Sequence, residues 1–280
     1  MKPLQKLLIL GSGKMGGSLL RGLISNNELN FDISLVEPNL AKDNYDLISA
    51  NKIKHYQSIK DLKESDFDTL LFAVKPQIIK EVCSEVLENL NQKKPISIIS
   101  ILAGTKVETF ESYFGLSPII RAMPNLAVSE GSGVTALYGN NNANKIFKET
   151  TGKIFSGVGE VIWVDSEDMM DIFTATSGSG PAYYFFLTEC LSLIAEEMGL
   201  SKENSDRLSR QVAIGSSDVM KSSNENLSSL REKVTSKGGT TEAALEVLMS
   251  PDKEFYNIFK KAILEAYKRS KDLSLSLIHI

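Results

Sequence analysis

Histidine and cysteine are scarce in this chain, with two of each among 280 residues. Cys83 and Cys190 form no CxxC spacing. They build neither a disulfide framework nor a zinc site, and they read as buried thiols of a reducing compartment. His55, ahead of the third main strand, and His279, in the tail, belong to no motif, so no histidine general acid is expected. HExxH, GxSxG and His/Cys clusters are missing, which removes metal-assisted and nucleophilic hydrolysis. Positive charge is not in excess: 31 basic against 35 acidic residues leave a net charge of -4, against an electrostatic nucleic-acid footprint. No apolar run reaches the ~18–20 residues of a membrane span. The opening MKPLQKLLILGSG holds only a four-residue apolar run before a glycine turn, shorter than a signal-peptide core. Low-complexity segments and internal repeats are also lacking. The expectation is a cytoplasmic protein with no metal and no membrane or nucleic-acid partner.

What is present suits two domains in an ordinary globular composition, 42% hydrophobic and 24% charged. The first half alternates short apolar runs with helical patterns. Candidate strands are LLIL (7–10), ISLV (33–36), TLLFAV (69–74), ISIISIL (96–102), PIIRAM (118–123), VTALYG (134–139) and VIWV (161–164). Most are continuous apolar runs, as expected of strands buried on both faces of a parallel sheet. Amphipathic stretches such as 15–26 and 77–89 lie between them, so the class is α/β with a mostly parallel sheet. After Asp165 the rhythm is helical throughout, over 166–200, 201–222, 242–249 and 252–273. The domains are expected at 1–164 and 165–280. The alternating tail LSLSLIHI is expected to be a disordered end rather than an exchanged arm.

LLILGSGKMGGSLLRGL carries Gly11, Gly13 and Gly16 in GxGxxG spacing, after a strand and opening a helix. In that context Gly11 permits the tight turn, Gly13 lets backbone approach a pyrophosphate, and Gly16 lets helix and strand pack closely. The helix N-terminus offers amide donors to phosphates. A nucleoside-triphosphate loop is excluded, because neither Gly13–Lys14 nor Gly152–Lys153 is followed by Ser or Thr. Glu37 lies 21 residues beyond Gly16, where an acid bonds the adenosine ribose hydroxyls and repels a 2′-phosphate. That leans to NADH; Lys42, close in sequence, softens the lean. A cofactor that brings its own chemistry fits a chain with so few acid–base residues.

Three more loops follow strand ends: AVKPQ (73–77), ILAGT (101–105) and RAMPN (121–125). Ligands of open α/β sheets sit outside the carboxyl ends of strands, so all three are expected around one cofactor groove. In the helical half, TSGSGPAYYF (176–185) places Pro181 at a helix start, and VTSKGGTTEAALEVL (234–248) sets a cation, two glycines and two threonines before another helix.

Taken together, LGSGKMG, FAVKPQ, SILAGT, RAMPN, SGSGPAY and VTSKGGTTEAAL resemble the pyrroline-5-carboxylate reductase family almost end to end. The resemblance implies an N-terminal Rossmann-type domain followed by an all-helical dimerisation domain. It implies a homodimer interlocked through those helices, with higher homo-oligomers in some members. The reaction implied is hydride transfer from NADPH or NADH to the imine carbon of 1-pyrroline-5-carboxylate, giving L-proline. The substrate is then a small cyclic imine with one carboxylate. Gly238 and Gly239 would expose bare amides to that carboxylate, with the partial positive end of the next helix behind them. Ser236, Gly238, Gly239, Thr240 and Thr241 would line the substrate site. Thr241 would be the catalytic candidate, hydrogen-bonding the imine nitrogen; the alternative is that the threonines only cap the helix. Gly11, Ser12, Gly13, Lys14, Met15 and Gly16 would form the cofactor loop. Ala73, Val74, Lys75 and Pro76 would follow the ribose, and Ala103, Gly104 and Asn125 would lie near the nicotinamide. Ser58, as the cap of a short helix at 59–63, would reach the adenosine ribose.

Two departures from the family pattern matter. Lys237 stands where the signature usually has proline, which loosens the loop. Glu37-Pro38-Asn39 replaces small polar residues or Arg, which puts the usual NADPH preference in question. The rival readings are a reductase of another cyclic imine on the same fold, or a cofactor-binding regulatory paralogue without turnover. A β-hydroxy acid dehydrogenase would want a Lys-x-x-x-Asn pair after Gly178–Gly180, where Tyr183 and Tyr184 stand.

Overall fold

Leu7, Leu8, Ile9 and Leu10 are all almost fully buried, yet neighbours in this run serve different cores. Leu7 and Ile9 join the apolar cluster on one face of a sheet, Leu8 and Leu10 the cluster on the other. The period of two in a strand sends successive side chains to opposite faces, so only an uninterrupted apolar run can fill both. Fully burying each such Leu or Ile contributes roughly 1.5–3 kcal/mol. The computed structural model that shows this describes residues 5–26, 29, 31–62, 66–90 and 95–278.

The first half runs β1 (Gln5–Leu10), α1 (Lys14–Ser25), β2 (Phe31–Val36), α2 (Lys42–Ala50), β3 (Lys54–Tyr56), β4 (Thr69–Phe72), α3 (Ile79–Asn89), β5 (Ser97–Ser100), α4 (Val107–Phe114), β6 (Ile119–Met123), β7 (Gly133–Gly139), α5 (Lys145–Ser156) and β8 (Gly159–Trp163). Among the described residues these strands form one eight-stranded sheet in the order β3-β2-β1-β4-β5-β6-β7-β8. Pairing is parallel throughout except between β6 and β7. The chain reverses direction across the sheet between β1 and β4, which creates a switch point with a crevice above it. His55 precedes the third apolar strand of the sequence, now β4, and sits within the short β3, which its polar sequence conceals.

The second half runs α6 (Met169–Phe173), one π-helical turn (Thr174–Gly178), α7 (Gly180–Glu197), α8 (Lys202–Ser222), α9 (Leu227–Lys233), α10 (Thr240–Leu248) and α11 (Glu254–Ile278). Two compact units result: residues 1–178 with 267–280, and residues 179–266. The tail is not a disordered end as far as Ile278, because α11 continues through it. Ser270 and Ser274, one helical turn apart, are buried, and the Ser270 hydroxyl donates to Asp171 Oδ1 at 2.6 Å. Small polar residues on the buried face hide the helical period that apolar ones would show. His279 lies outside the described residues.

Cys83 on α3 is fully buried, and burial pushes its thiol up to about 12. Cys190 on α7 is only half-buried, so the buried-thiol reading fits one cysteine and not the other.

Candidate functional site

The cofactor end is built at the β1/β4 switch point. Gly11 leaves β1 with φ +95°, and a Cβ there would come within 2.8 Å of the Ala73 carbonyl oxygen. Gly16 on α1 is as constrained: a Cβ would sit 2.6 Å from the Gly11 carbonyl oxygen. Gly13 differs, since a Cβ there would meet nothing within 4 Å. It is the N-cap of α1 and brings no capping side chain. The first-turn amides of α1 therefore have no capping side chain among the described residues, beside a Gly13 that leaves room for a ligand, the arrangement that binds phosphate.

A cleft of about 910 Å³ opens beside this loop. Gly11, Ser12, Gly13, Lys14, Glu37, Ser58, Ala73, Val74 and Lys75 all line it. Glu37 ties the cleft together. Its carboxylate accepts the Ser12 N–H at 2.8 Å and the Asn39 N–H at 3.0 Å. Its backbone is fixed too, with its N–H on Tyr56 O at 3.0 Å and His55 Nε2 2.9 Å from its carbonyl oxygen. The Ser12 hydroxyl is buried without a partner among the described residues. An orphaned hydroxyl, an uncapped helix start and an acid at the ribose end fit a dinucleotide.

Other expected cofactor residues stand apart from the cleft wall. Gly16 packs behind the loop, and Met15 packs its side chain on the core. Pro76 opens a 3₁₀ turn, Pro76–Ile78. Ala103 and Gly104 follow β5, and Asn125 follows β6, at the carboxyl ends of strands farther along the sheet. The cleft centres on the switch point, so the ILAGT and RAMPN loops do not line it. The Asn125 Oδ1 accepts the Val134 N–H at 3.2 Å, which pins that loop to β7. Ser58 caps the 3₁₀ turn Ile59–Asp61 in a reciprocal capping box.

The glycine turn before α10 lies in the second unit. Gly239 is the N-cap, so neither Thr240 nor Thr241 caps the helix; both lie within its first turn. The glycine amides are not bare as the sequence suggests. The Gly238 N–H donates to Glu242 Oε2 at 2.5 Å, and the Gly239 N–H to Ser236 O at 3.0 Å. The donors without an intrahelical acceptor are instead the first-turn amides of Thr240, Thr241 and Glu242.

Known proteins match both ends of the chain. A family model described as pyrroline-5-carboxylate reductase dimerisation matches residues 167–273, and one described as coenzyme F420-dependent NADP oxidoreductase matches residues 6–104. A pyrroline-5-carboxylate reductase of Pseudomonas aeruginosa is 32% identical over 273 residues, 97% of this chain and 98% of that protein. The chain belongs to the pyrroline-5-carboxylate reductase family. Within the family, the solved reductase of Coxiella burnetii superposes with a TM-score of 0.86 at 35% identity, covering 97% of this chain and 99% of that one. The pyrroline carboxylate reductase of Plasmodium falciparum, solved with NADP bound, gives 0.78 at 27% identity, covering 98% and 99%.

This family member also has site features that sequence reasoning passed over. Arg21 lines the cleft, with its guanidinium on Asn44 Oδ1 and Ser18 Oγ at 3.3 and 3.2 Å. Arg121, which opens the RAMPN motif within β6, is 3% exposed and donates to Glu167 Oε1 at 2.9 Å. The same oxygen accepts the Val107 N–H at 2.9 Å, so Glu167 joins the first residue of α4 to the middle of β6. Residues 46 apart in sequence leave no local signal of such a pair.

Proposed function

We propose that the chain reduces 1-pyrroline-5-carboxylate to L-proline, the last step of proline biosynthesis. The observation that carries this is an uncapped, phosphate-ready helix start over a dinucleotide cleft in a chain that matches these reductases end to end. NADPH or NADH, when bound, supplies the hydride. Gly11, Ser12, Gly13 and Lys14 hold the pyrophosphate end, with Met15 and Gly16 packed behind them to set the loop. Glu37 and Ser58 take the adenosine ribose, and Ala73, Val74, Lys75 and Pro76 take the connecting ribose. Ala103, Gly104 and Asn125 approach the nicotinamide.

Ser236, Gly238, Gly239, Thr240 and Thr241 form the substrate end. The first-turn amides of α10 receive the substrate carboxylate, favoured by the positive end of the helix. The Thr241 hydroxyl bonds the ring nitrogen. The iminium arrives protonated, so when hydride adds at carbon the C=N pair passes to a nitrogen that already carries its proton. No general acid is needed, which suits a chain with two histidines. Residues 1–164 thus act as the cofactor domain and 165–280 as the helical substrate and dimerisation domain.

Homodimerisation is supported by α7. Tyr184, Phe185 and Phe186 are more than 60% exposed, and Leu193 and Ile194 more than half. A helix apolar on all sides is stable in water only when a partner covers it. A cytoplasmic location is the reading for an enzyme of this chemistry in which no described helix is long and apolar enough to cross a membrane. Steady-state oxidation of NADH and of NADPH at saturating 1-pyrroline-5-carboxylate tests the function. Rapid oxidation with proline as product is expected. Cofactor binding without imine-dependent oxidation would overturn it in favour of a paralogue without turnover.

A further inference from the structure

We infer that Glu242 is a positioning residue for the turn Ser236–Gly239, strapping it through the Gly238 amide where the turn lacks its ordinary restraints. The inference rests on the reading that this turn orients the donors for the substrate carboxylate.

The turn has the pattern of type II. Ser236 O accepts the Gly239 N–H at 3.0 Å, and Gly238, its third residue, has φ +72°. Lys237, its second residue, is not among the positive-φ residues. Type II turns favour proline at that second position, because its ring presets φ. Lys237 supplies no such restraint. The helix that follows offers none either, since its N-cap is a glycine without a capping side chain. The turn is nonetheless tight: a Cβ on Gly239 would lie 2.5 Å from Ser236 Oγ and 2.9 Å from Ser236 O.

What remains to hold it is Glu242, the third residue of α10. An acid there ordinarily reaches back to the N-cap amide. Here it reaches one residue farther, to the Gly238 N–H at 2.5 Å, in a charge-assisted bond. The bond fixes Gly238 in its left-handed conformation, and with it the direction in which Thr240 and Thr241 leave the turn. Without it the first turn of α10 frays and its amides lose alignment.

The test uses the full-length enzyme as Glu242→Ala, Glu242→Gln, and Glu242→Ala combined with Lys237→Pro. Two quantities are read: KM and kcat for 1-pyrroline-5-carboxylate, and amide hydrogen exchange over residues 236–241. Glu242→Ala is expected to speed exchange and raise KM about tenfold with kcat little changed, the pattern of lost uniform binding. Glu242→Gln keeps an acceptor oxygen and stays close to wild type. Lys237→Pro restores KM in the alanine background by supplying the missing restraint. Unchanged exchange in Glu242→Ala, or a glutamine variant as impaired as the alanine one, would overturn the strap. Faster exchange with unchanged KM would uphold the strap and refute the substrate role of the turn.

Discussion

Replacing Glu37 by Ser should turn the enzyme toward NADPH. The Glu37 carboxylate is held in place by the Ser12 and Asn39 amides, at 2.8 and 3.0 Å, so it cannot swing away from an incoming 2′-phosphate without losing both. Two unit charges 4 Å apart repel by about 4 kcal/mol at an effective dielectric of 20. Glu37 is half-buried at the cleft wall, and physiological salt screens what reaches solvent, leaving about 1.5–3 kcal/mol. Each 1.36 kcal/mol is tenfold, so the NADPH/NADH ratio of kcat/KM should rise roughly 10- to 100-fold in Glu37→Ser. The substitution also frees the Ser12 N–H for a phosphate oxygen, which acts in the same direction. The assay is steady-state kinetics with each cofactor at one saturating imine concentration. The ratio should shrink toward that of wild type at high salt if Arg21 and Lys14 provide the remaining attraction. A ratio unchanged from wild type would show that Glu37 does not read the ribose and would refute the reasoning.

Thr241→Ala should lower kcat about 10- to 100-fold, the worth of one hydrogen bond to a charged group, while the cofactor Kd stays unchanged; wild-type turnover would remove Thr241 from the chemistry. Glu167→Ala strands the Arg121 guanidinium, 3% exposed, and should cost about 3–5 kcal/mol in urea unfolding, whereas a loss below about 1 kcal/mol would mean that the pair carries little. The Cys83 thiol is pushed up to about 12 by burial, so its neutral form favours the fold. That contribution is complete below the ordinary value of 9.0 and is lost as pH rises toward 12. Urea midpoints above pH 9.0 should therefore fall less steeply in Cys83→Ala than in wild type, and equal slopes would contradict this. Phe186→Glu places a charge on the exposed apolar helix α7 and should yield monomers in sedimentation; an unchanged mass would move the dimer interface elsewhere.

The buried strands are legible in the sequence because burial on both faces demands unbroken apolar runs: LLIL and TLLF read as strands at sight. Their carboxyl ends are less so. Ala73 and Val74 continue the apolar run of β4 but leave the strand to line the cleft. Lys54–Tyr56 carries no such run, since an edge strand needs only backbone pairing with β2, and so β3 is invisible. The antiparallel pairing of β7 with β6 is equally silent, because a buried strand looks alike in either direction. The glycine loop and Glu37 were readable from spacing alone. What spacing does not give is the partner of each group. Glu37 on Ser12 N–H and Glu167 on Arg121 and Val107 are made by chain folding back on itself, while Glu242 reaches four residues back to Gly238, one farther than the usual capping spacing. The last of these overturns the bare-amide picture of the glycine turn, in which the free donors lie one residue farther on.

The central claim is that hydride passes from the nicotinamide to the ring carbon of 1-pyrroline-5-carboxylate. The most direct measurement supplies cofactor deuterated at the transferable position and reads the product by mass and NMR. The account predicts proline carrying one deuterium, at the carbon that was the imine. Unlabelled proline, or oxidised cofactor with no proline, would contradict it.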